Sequence, residues 1–277
     1  MQAPARSAGG PSAERMPVLF VGHGSPMNAV EDNEFSRGFA ALAAILPRPR
    51  AILAVSAHWY VEGTFLTGDE HPPTIHDFSG FPETLFEIRY PAPGSVPLAE
   101  RVRGLLGLGR AALRTDWGLD HGTWSVLKWI YPAADVPVVQ LSLDAALTPR
   151  QHFDLARPLG ELRREGVLVM GSGNVTHDLR EAFRRMRDGD SLAPESSRRF
   201  DEAVKRSLLD RDMERLVGLW PGTDDGRRNH PTPDHWLPLL YACAAADPED
   251  LVEFPIEGFD LGLSMRSVIF GRTRAAA

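Results

Sequence analysis

The chain has 277 residues, 43% of them apolar, and a formal net charge of −7 at neutral pH. That length and composition suit one large α/β domain or two smaller ones with a sizeable core. Acidic and basic residues are interspersed rather than blocked, which argues against nucleic acid or an anionic membrane as the main partner. No apolar run approaches transmembrane length.

Residues 1–15 are rich in Ala, Gly, Pro and Ser and lack an apolar h-region. They read as a disordered leader rather than a secretory signal, with Met16 opening the folded part. The single cysteine, Cys243, lies in an apolar helical pattern and reads as a core residue. With no disulfide possible within the chain, a reducing compartment, the cytoplasm, is expected.

The folded part begins with Val18-Leu-Phe-Val, a buried-strand pattern broken by Gly22-His23-Gly24. Glycines on both sides let the backbone turn sharply and leave the imidazole uncovered at the strand end. Phe35, Phe39, Leu42 and Leu46 follow at helical spacing, closed by Pro47. A second strand, Ala51–Ala57, ends on His58, and strand–helix–strand in this order suggests a parallel crossover. Residues 69–97 form a long irregular segment whose Phe78, Phe81, Phe86 and Tyr90 favour a packed lid over a linker.

A short helix near 98–106 leads to Asp120-His-Gly-Thr-Trp124, where His121 opens another helix. Strands are expected at Val136–Leu143 and Val167–Met170, separated by a helix near 149–165. The second runs into the glycine-rich turn Gly171–His177. A long amphipathic helix is expected over 195–217. Thr232 is a good N-cap and Pro233 a good first helical residue, which places His235 in a first turn. Val252–Ile256 and Ser264–Phe270 read as closing, antiparallel strands. Neither an internal repeat nor a domain boundary is evident.

Five of the nine histidines share one context. His23, His58, His121 and His177 sit at strand ends or glycine turns, and His235 opens a helix. In open α/β sheets the crevice beyond the strand ends is where ligands bind, so histidines delivered there suggest a metal site. Imidazole suits Fe, Zn, Cu or Ni, and three protein ligands leave positions open for substrate and water. Histidines outside that set can act as acid or base near neutral pH. His71, His76 and His152 lack the context and read as structural, with His230 a secondary candidate. Asp120 and Asp178, each beside one of these histidines, read equally as orienting partners or as helix caps. Nucleotide-binding glycine loops and the G-x-S-x-G elbow are absent.

The set Gly22–Met27, Ser56-Ala-His-Trp59, Thr74-Ile-His-Asp-Phe-Ser-Gly-Phe-Pro82, Tyr90–Gly94, Asp120–Trp124, Ser172–His177 and Pro231–Tyr241 resembles the class III extradiol ring-cleavage dioxygenases. Within them it is most similar to the bacterial and plant 4,5-DOPA extradiol dioxygenase branch. The resemblance runs in order from about Met16 to Gly271. It implies an α/β fold, a single catalytic domain over 16–271 with a central mixed, mostly parallel sheet flanked by helices on both faces, followed by a tail at 272–277. It also implies a mononuclear non-haem iron site that opens a catechol ring with O2.

Carried across residue by residue, His23, His58 and His235 would hold the metal. His177 would be the acid/base residue, and His121 a second histidine in the pocket. Phe81, Trp59 and His230 are expected to face the substrate. The protocatechuate-cleaving relatives supply a carboxylate as third ligand where this chain offers His235. A neutral three-histidine set also attracts zinc, so Fe(II) is expected for activity with Zn2+ as a competing occupant. The expected partners are a small catechol and O2, with no nucleic acid and no membrane, acting on a monomer or homodimer. Gly-His-Gly-Ser after an opening strand also occurs in tetrapyrrole metal chelatases. That alternative leaves the lid and the Pro231–Tyr241 segment unexplained. A non-catalytic metal-binding protein would leave the surplus histidines without a purpose.

Overall fold

The computed structural model describes residues 15–271, so the leader, apart from Arg15, and the tail at 272–277 lie outside the described residues. Ten strands are described: β1 Val18–Gly22, β2 Ala51–Val61, β3 Thr64–Thr67, β4 Ala111–Arg114, β5 Val138–Asp144, β6 Val167–Gly173, β7 Val252–Ile256, β8 Phe259–Asp260, β9 Leu263–Ser264 and β10 Ser267–Phe270. The helices are α1 Glu34–Ile45, α2 Glu83–Phe86, α3 Val96–Leu106, α4 His121–Ile130, α5 Pro149–Ala156, α6 Leu179–Asp188, α7 Glu195–Leu209, α8 Met213–Gly222, α9 Asp224–Asn229 and α10 Leu237–Ala245. Eight strands form one sheet in the order β4-β3-β5-β2-β6-β1-β10-β7, and β8 pairs with β9 separately.

The four central strands β5, β2, β6 and β1 are mutually parallel, and the antiparallel pairings lie outside them. Both faces of the sheet are covered, which is why its strands read as continuous apolar runs. Along β1, Val18 and Phe20 enter one core with α3, α5, α7 and α10, whereas Leu19 and Val21 enter the other with α1, α4 and the segment around Leu85 and Tyr90. The same alternation holds along β2 and β6. The expected single-domain, mixed and mostly parallel architecture is the one found. No helix among the described residues is long and apolar enough to cross a membrane.

Several boundaries differ from the sequence expectation, each for a local reason. The strand expected to end at His58 continues to Val61, because after an irregularity in register Tyr60 and Val61 resume pairing with β5. The first and second strands are parallel but not neighbours; β6 lies between them. The helix expected over 149–165 changes to a 3-10 stretch at Arg157, where Pro158 has no N–H to donate to the preceding turn. The helix expected over 195–217 divides at Arg211, which has φ 59°, and Asp212 caps a new helix by accepting from Arg215 N–H. The last expected strand splits into β9 and β10.

Most consequential for the site, α10 begins at Leu237 rather than at Pro233. A helix started at Pro233 would require Pro238 to donate to the Asp234 carbonyl, and proline cannot. Residues 231–236 therefore form a turn held by Pro233 C=O accepting from the Trp236 and Leu237 amides.

Candidate active site

The carboxyl ends of β1, β2 and β6 lie side by side in register, with Gly22 opposite Gly173 and Ser56 opposite Ser172. His23 follows β1 directly, and its amide donates to Gly173 C=O at 3.0 Å. His235 is tied to the same strand end, because its carbonyl accepts from Asn174 N–H at 3.0 Å. That approach requires Gly173: a Cβ there would lie 2.3 Å from the His235 carbonyl oxygen. The start of α4 is pressed against β2 in the same way. A Cβ on Gly122 would meet Ser56 Oγ at 2.6 Å and His58 Cδ2 at 2.9 Å. The fold thus uses glycine where one backbone must approach another element closely.

Five imidazoles gather at this edge. His58 and His23 face each other through their Nε2 atoms at 3.1 Å. One ligand atom from each of His23, His58 and His235 lies within 4.8 Å of the other two. His121 lies 3.8 Å from His58 ring to ring, and His177 stacks on His235 at 3.3 Å with only 6° between planes.

The Nδ1 side of each of the three clustered rings, and of His121, is committed. Ser172 Oγ donates to Gly122 C=O at 2.5 Å, so at 3.0 Å from His23 Nδ1 it accepts the ring proton. Asp77 Oδ2 lies 3.2 Å from His58 Nδ1 and 2.9 Å from His121 Nδ1, and its Oδ1 accepts from the His121 amide at 2.9 Å. Asp234 accepts from His235 Nδ1. With Nδ1 protonated, His23, His121 and His235 keep the lone pair on Nε2, the tautomer that leaves this nitrogen open to a metal.

Electrostatics point the same way. Burial, followed by repulsion among the histidines, holds His23 and His235 well below the usual imidazole range and His58 at about 3. Burial brings His177 down to about 4. These rings are neutral at pH 7. Burial pushes the Asp77 carboxyl up, but the His121 hydrogen bond and the two imidazoles hold it at about 2. It is therefore a charged acceptor.

The donor set fits a divalent ion. The buried Nε2 of His235 has no hydrogen-bond partner, and the Nε2 atoms of His23 and His58 stand 3.1 Å apart, a spacing that a shared cation can bridge. Two further groupings of ligand atoms adjoin the first, His58–Asp77–His121 and His177–Asp234–His235. Their carboxylates already serve the Nδ1 protons.

The histidine wall opens into a cavity of about 620 Å³. Phe78 and Phe81 of the 69–97 segment line it, as do Leu179, Phe183 and Met186 of α6. The 69–97 segment, expected to be irregular throughout, contains α2 and the start of α3 and is firmly anchored: Leu85 and Tyr90 are buried, and Trp124 Nε1 donates to Ile75 C=O at 2.8 Å.

The structure brings His23, His58, His121, His177, His235 and Phe81 to this cavity but not Trp59 or His230. Trp59 is 1% exposed and stacks on Trp117 at 5.4 Å, so its large apolar ring is spent in packing. His230 is buried between Phe200 and Trp236, and its Nε2 donates to Val175 C=O at 2.8 Å. That bond ties the chain just ahead of the His235 turn to Val175. Of the two open readings for Asp120 and Asp178, the structure takes the cap: they start α4 and α6, and among the described residues neither carboxylate hydrogen-bonds to an imidazole. The orienting carboxylates are instead Asp77 and Asp234, which the sequence pattern did not single out. A signal was present: each is adjacent in sequence to a histidine inside one of the family motifs, His76-Asp77 and Asp234-His235.

Against known proteins, residues 17–263 match the family described as the catalytic LigB subunit of aromatic ring-opening dioxygenase. The chain is 46% identical over 265 residues to the 4,5-DOPA dioxygenase extradiol of Escherichia coli K12, covering 94% of this chain and 96% of that one. It is 35% identical to the Beta vulgaris protein of the same name, covering 89% and 92%. A crystal structure of an uncharacterized protein from Escherichia coli K12 superposes with a TM-score of 0.80 at 41% identity, covering 93% of this chain and all of that chain.

Proposed function

The chain belongs to the extradiol aromatic ring-opening dioxygenases, and from that premise we propose that it opens a DOPA-like catechol with O2 at an Fe(II) site held by His23, His58 and His235. The observation that carries the ligand assignment is the convergence of one ligand nitrogen from each of the three rings, with the Nδ1 atoms of His23 and His235 already engaged by Ser172 and Asp234. The DOPA-like substrate is supported by the names of the relatives. The chelatase alternative is set aside by membership of the ring-opening family.

When bound, the ion would supply Lewis acidity toward the catechol oxygens and a route for electrons to O2. The remaining work falls to the chain. His177 is neutral at pH 7 and lines the cavity, so one ring nitrogen can take a catechol hydroxyl proton and later return it. His121 Nδ1–H donates a hydrogen bond to the charged Asp77, and the ring lines the cavity, where its Nε2 can accept a hydrogen bond from substrate. Phe78 and Phe81 exclude water from the reacting centre. Zn2+ would compete for a neutral imidazole set, so the occupant in purified protein depends on loading. The same reading places the enzyme in the cytoplasm as a monomer or homodimer; the buried free Cys243 suits a reducing compartment.

The test loads metal-free protein with Fe(II) anaerobically and screens catechols under air for yellow ring-fission product and O2 uptake. Wild type should hold about one ion per chain, whereas His23→Ala, His58→Ala or His235→Ala should hold almost none and make no product. Stoichiometric iron with no ring opening on any catechol would overturn the activity. Full metal content in His235→Ala would overturn the ligand set.

A further inference from the structure

The cavity holds five charged side chains, and they fall into two groups. Asp77 and Asp234 serve the imidazole Nδ1 protons, and Asp178 accepts from the Arg180 and Glu181 amides to cap α6. Arg180 and Asp260 have no such duty. Among the described residues, neither side chain makes a hydrogen bond or an ion pair, although most arginines of this chain are paired with carboxylates. Arg180 is the only cation lining the cavity among the described residues. It projects from the first turn of α6, beside the apolar Leu179 and Phe183. Asp260 lies in β8, half-buried, and burial with the nearby Glu31 charge pushes its carboxyl up.

An unpaired carboxylate in a partly buried wall carries a desolvation cost that a cationic ligand would offset. A lone guanidinium on the same cavity offers a planar fork suited to a carboxylate. Nothing in ring opening itself needs either group, since proton handling belongs to the histidines and their own partners.

Resting on the reading of the cavity as a catechol site, we infer that Arg180 and Asp260 form a subsite for a zwitterionic substituent of the catechol. Arg180 takes the carboxylate and Asp260 the ammonium. The new element is the pair of residues: a DOPA-like catechol, the substrate already proposed, would be held by its polar end at the mouth while the ring lies toward the histidines. The apolar surfaces of Phe183 and Met186 cover the methylene link.

The experiment compares four catechols that differ only in the substituent: 4-methylcatechol, dopamine, 3-(3,4-dihydroxyphenyl)propionate and DOPA. Each is titrated calorimetrically into iron-loaded protein without O2, and kcat/KM is measured in air. Wild type should favour DOPA over 4-methylcatechol in both measurements. Arg180→Gln should lower the preference for propionate and DOPA over 4-methylcatechol by about tenfold, the order expected for one charge-assisted contact. Asp260→Asn should lower the preference for dopamine and DOPA by a similar factor. Losses of equal size on all four ligands, or an unchanged preference in both variants, would overturn the subsite. No ring opening of any of the four by wild type would instead refute the underlying activity.

Discussion

The two walls of the cavity are built on opposite terms. The histidine wall is buried: His23, His121 and His235 are 2%, 5% and 4% exposed, and the Nδ1 of each is engaged by a serine or a carboxylate. The α6 wall is open: Leu179, Phe183 and Met186 are 45%, 60% and 59% exposed, and Arg180 has no partner among the described residues. Under the proposed function the first wall holds an ion and times a proton, which needs rings fixed in position and tautomer by dense packing and orienting bonds. A wall that meets a variable substituent needs exposed surface and uncommitted charge. The contrast predicts that changes on the first wall alter chemistry and metal affinity, whereas changes on the second alter which substrate is handled.

The sharpest break comes from His177, which sits on the buried wall without belonging to the proposed ligand set. His177→Ala should keep the metal and still bind catechol, with kcat reduced about 10²–10⁴-fold, the usual worth of general acid–base catalysis. Metal content and turnover measured on the same preparation decide it. If the metal is lost, His177 ligates, and the division between ligand and proton carrier fails.

Asp77 tests whether orienting bonds matter as much as ligands. Asp77→Asn keeps the shape but removes the charge that His58 and His121 share. Metal affinity, measured by competition with a chelator, should weaken about 10–100-fold. Unchanged affinity would mean that packing alone holds His58.

The smallest effect belongs to Phe81, which lines the cavity from the 69–97 segment. Phe81→Ala removes part of one half-buried ring, a loss of about 1 kcal/mol of apolar contact with substrate. KM should rise roughly fivefold while the melting temperature stays near wild type. A lower melting temperature with unchanged kinetics would make the segment packing rather than lid.

Features that depend only on local chemistry were legible in the sequence by itself. Continuous apolar runs announced strands buried on both faces, as at Val18–Gly22 and Val167–Gly173. Histidines at strand ends, glycine turns and helix starts marked the edge where they gather. Ordered motifs identified the family across nearly the whole chain. Tertiary structure decided which histidines meet. His230 and His235 flank the same short stretch of sequence, but only His235 reaches the cluster, because Pro238 delays α10 and the resulting turn docks on Gly173. It also decided the partners of the rings. Asp77 reaches His58 and His121 only because the 69–97 segment folds back over the sheet edge, placing together residues that are 19 and 44 positions apart. Trp59 turned inward for a similar reason: stacking against Trp117 is set by a loop distant in sequence, and local pattern carries no trace of it. Such long-range placements depend on which surfaces pack, and a one-dimensional pattern specifies how apolar a surface is without specifying what will cover it.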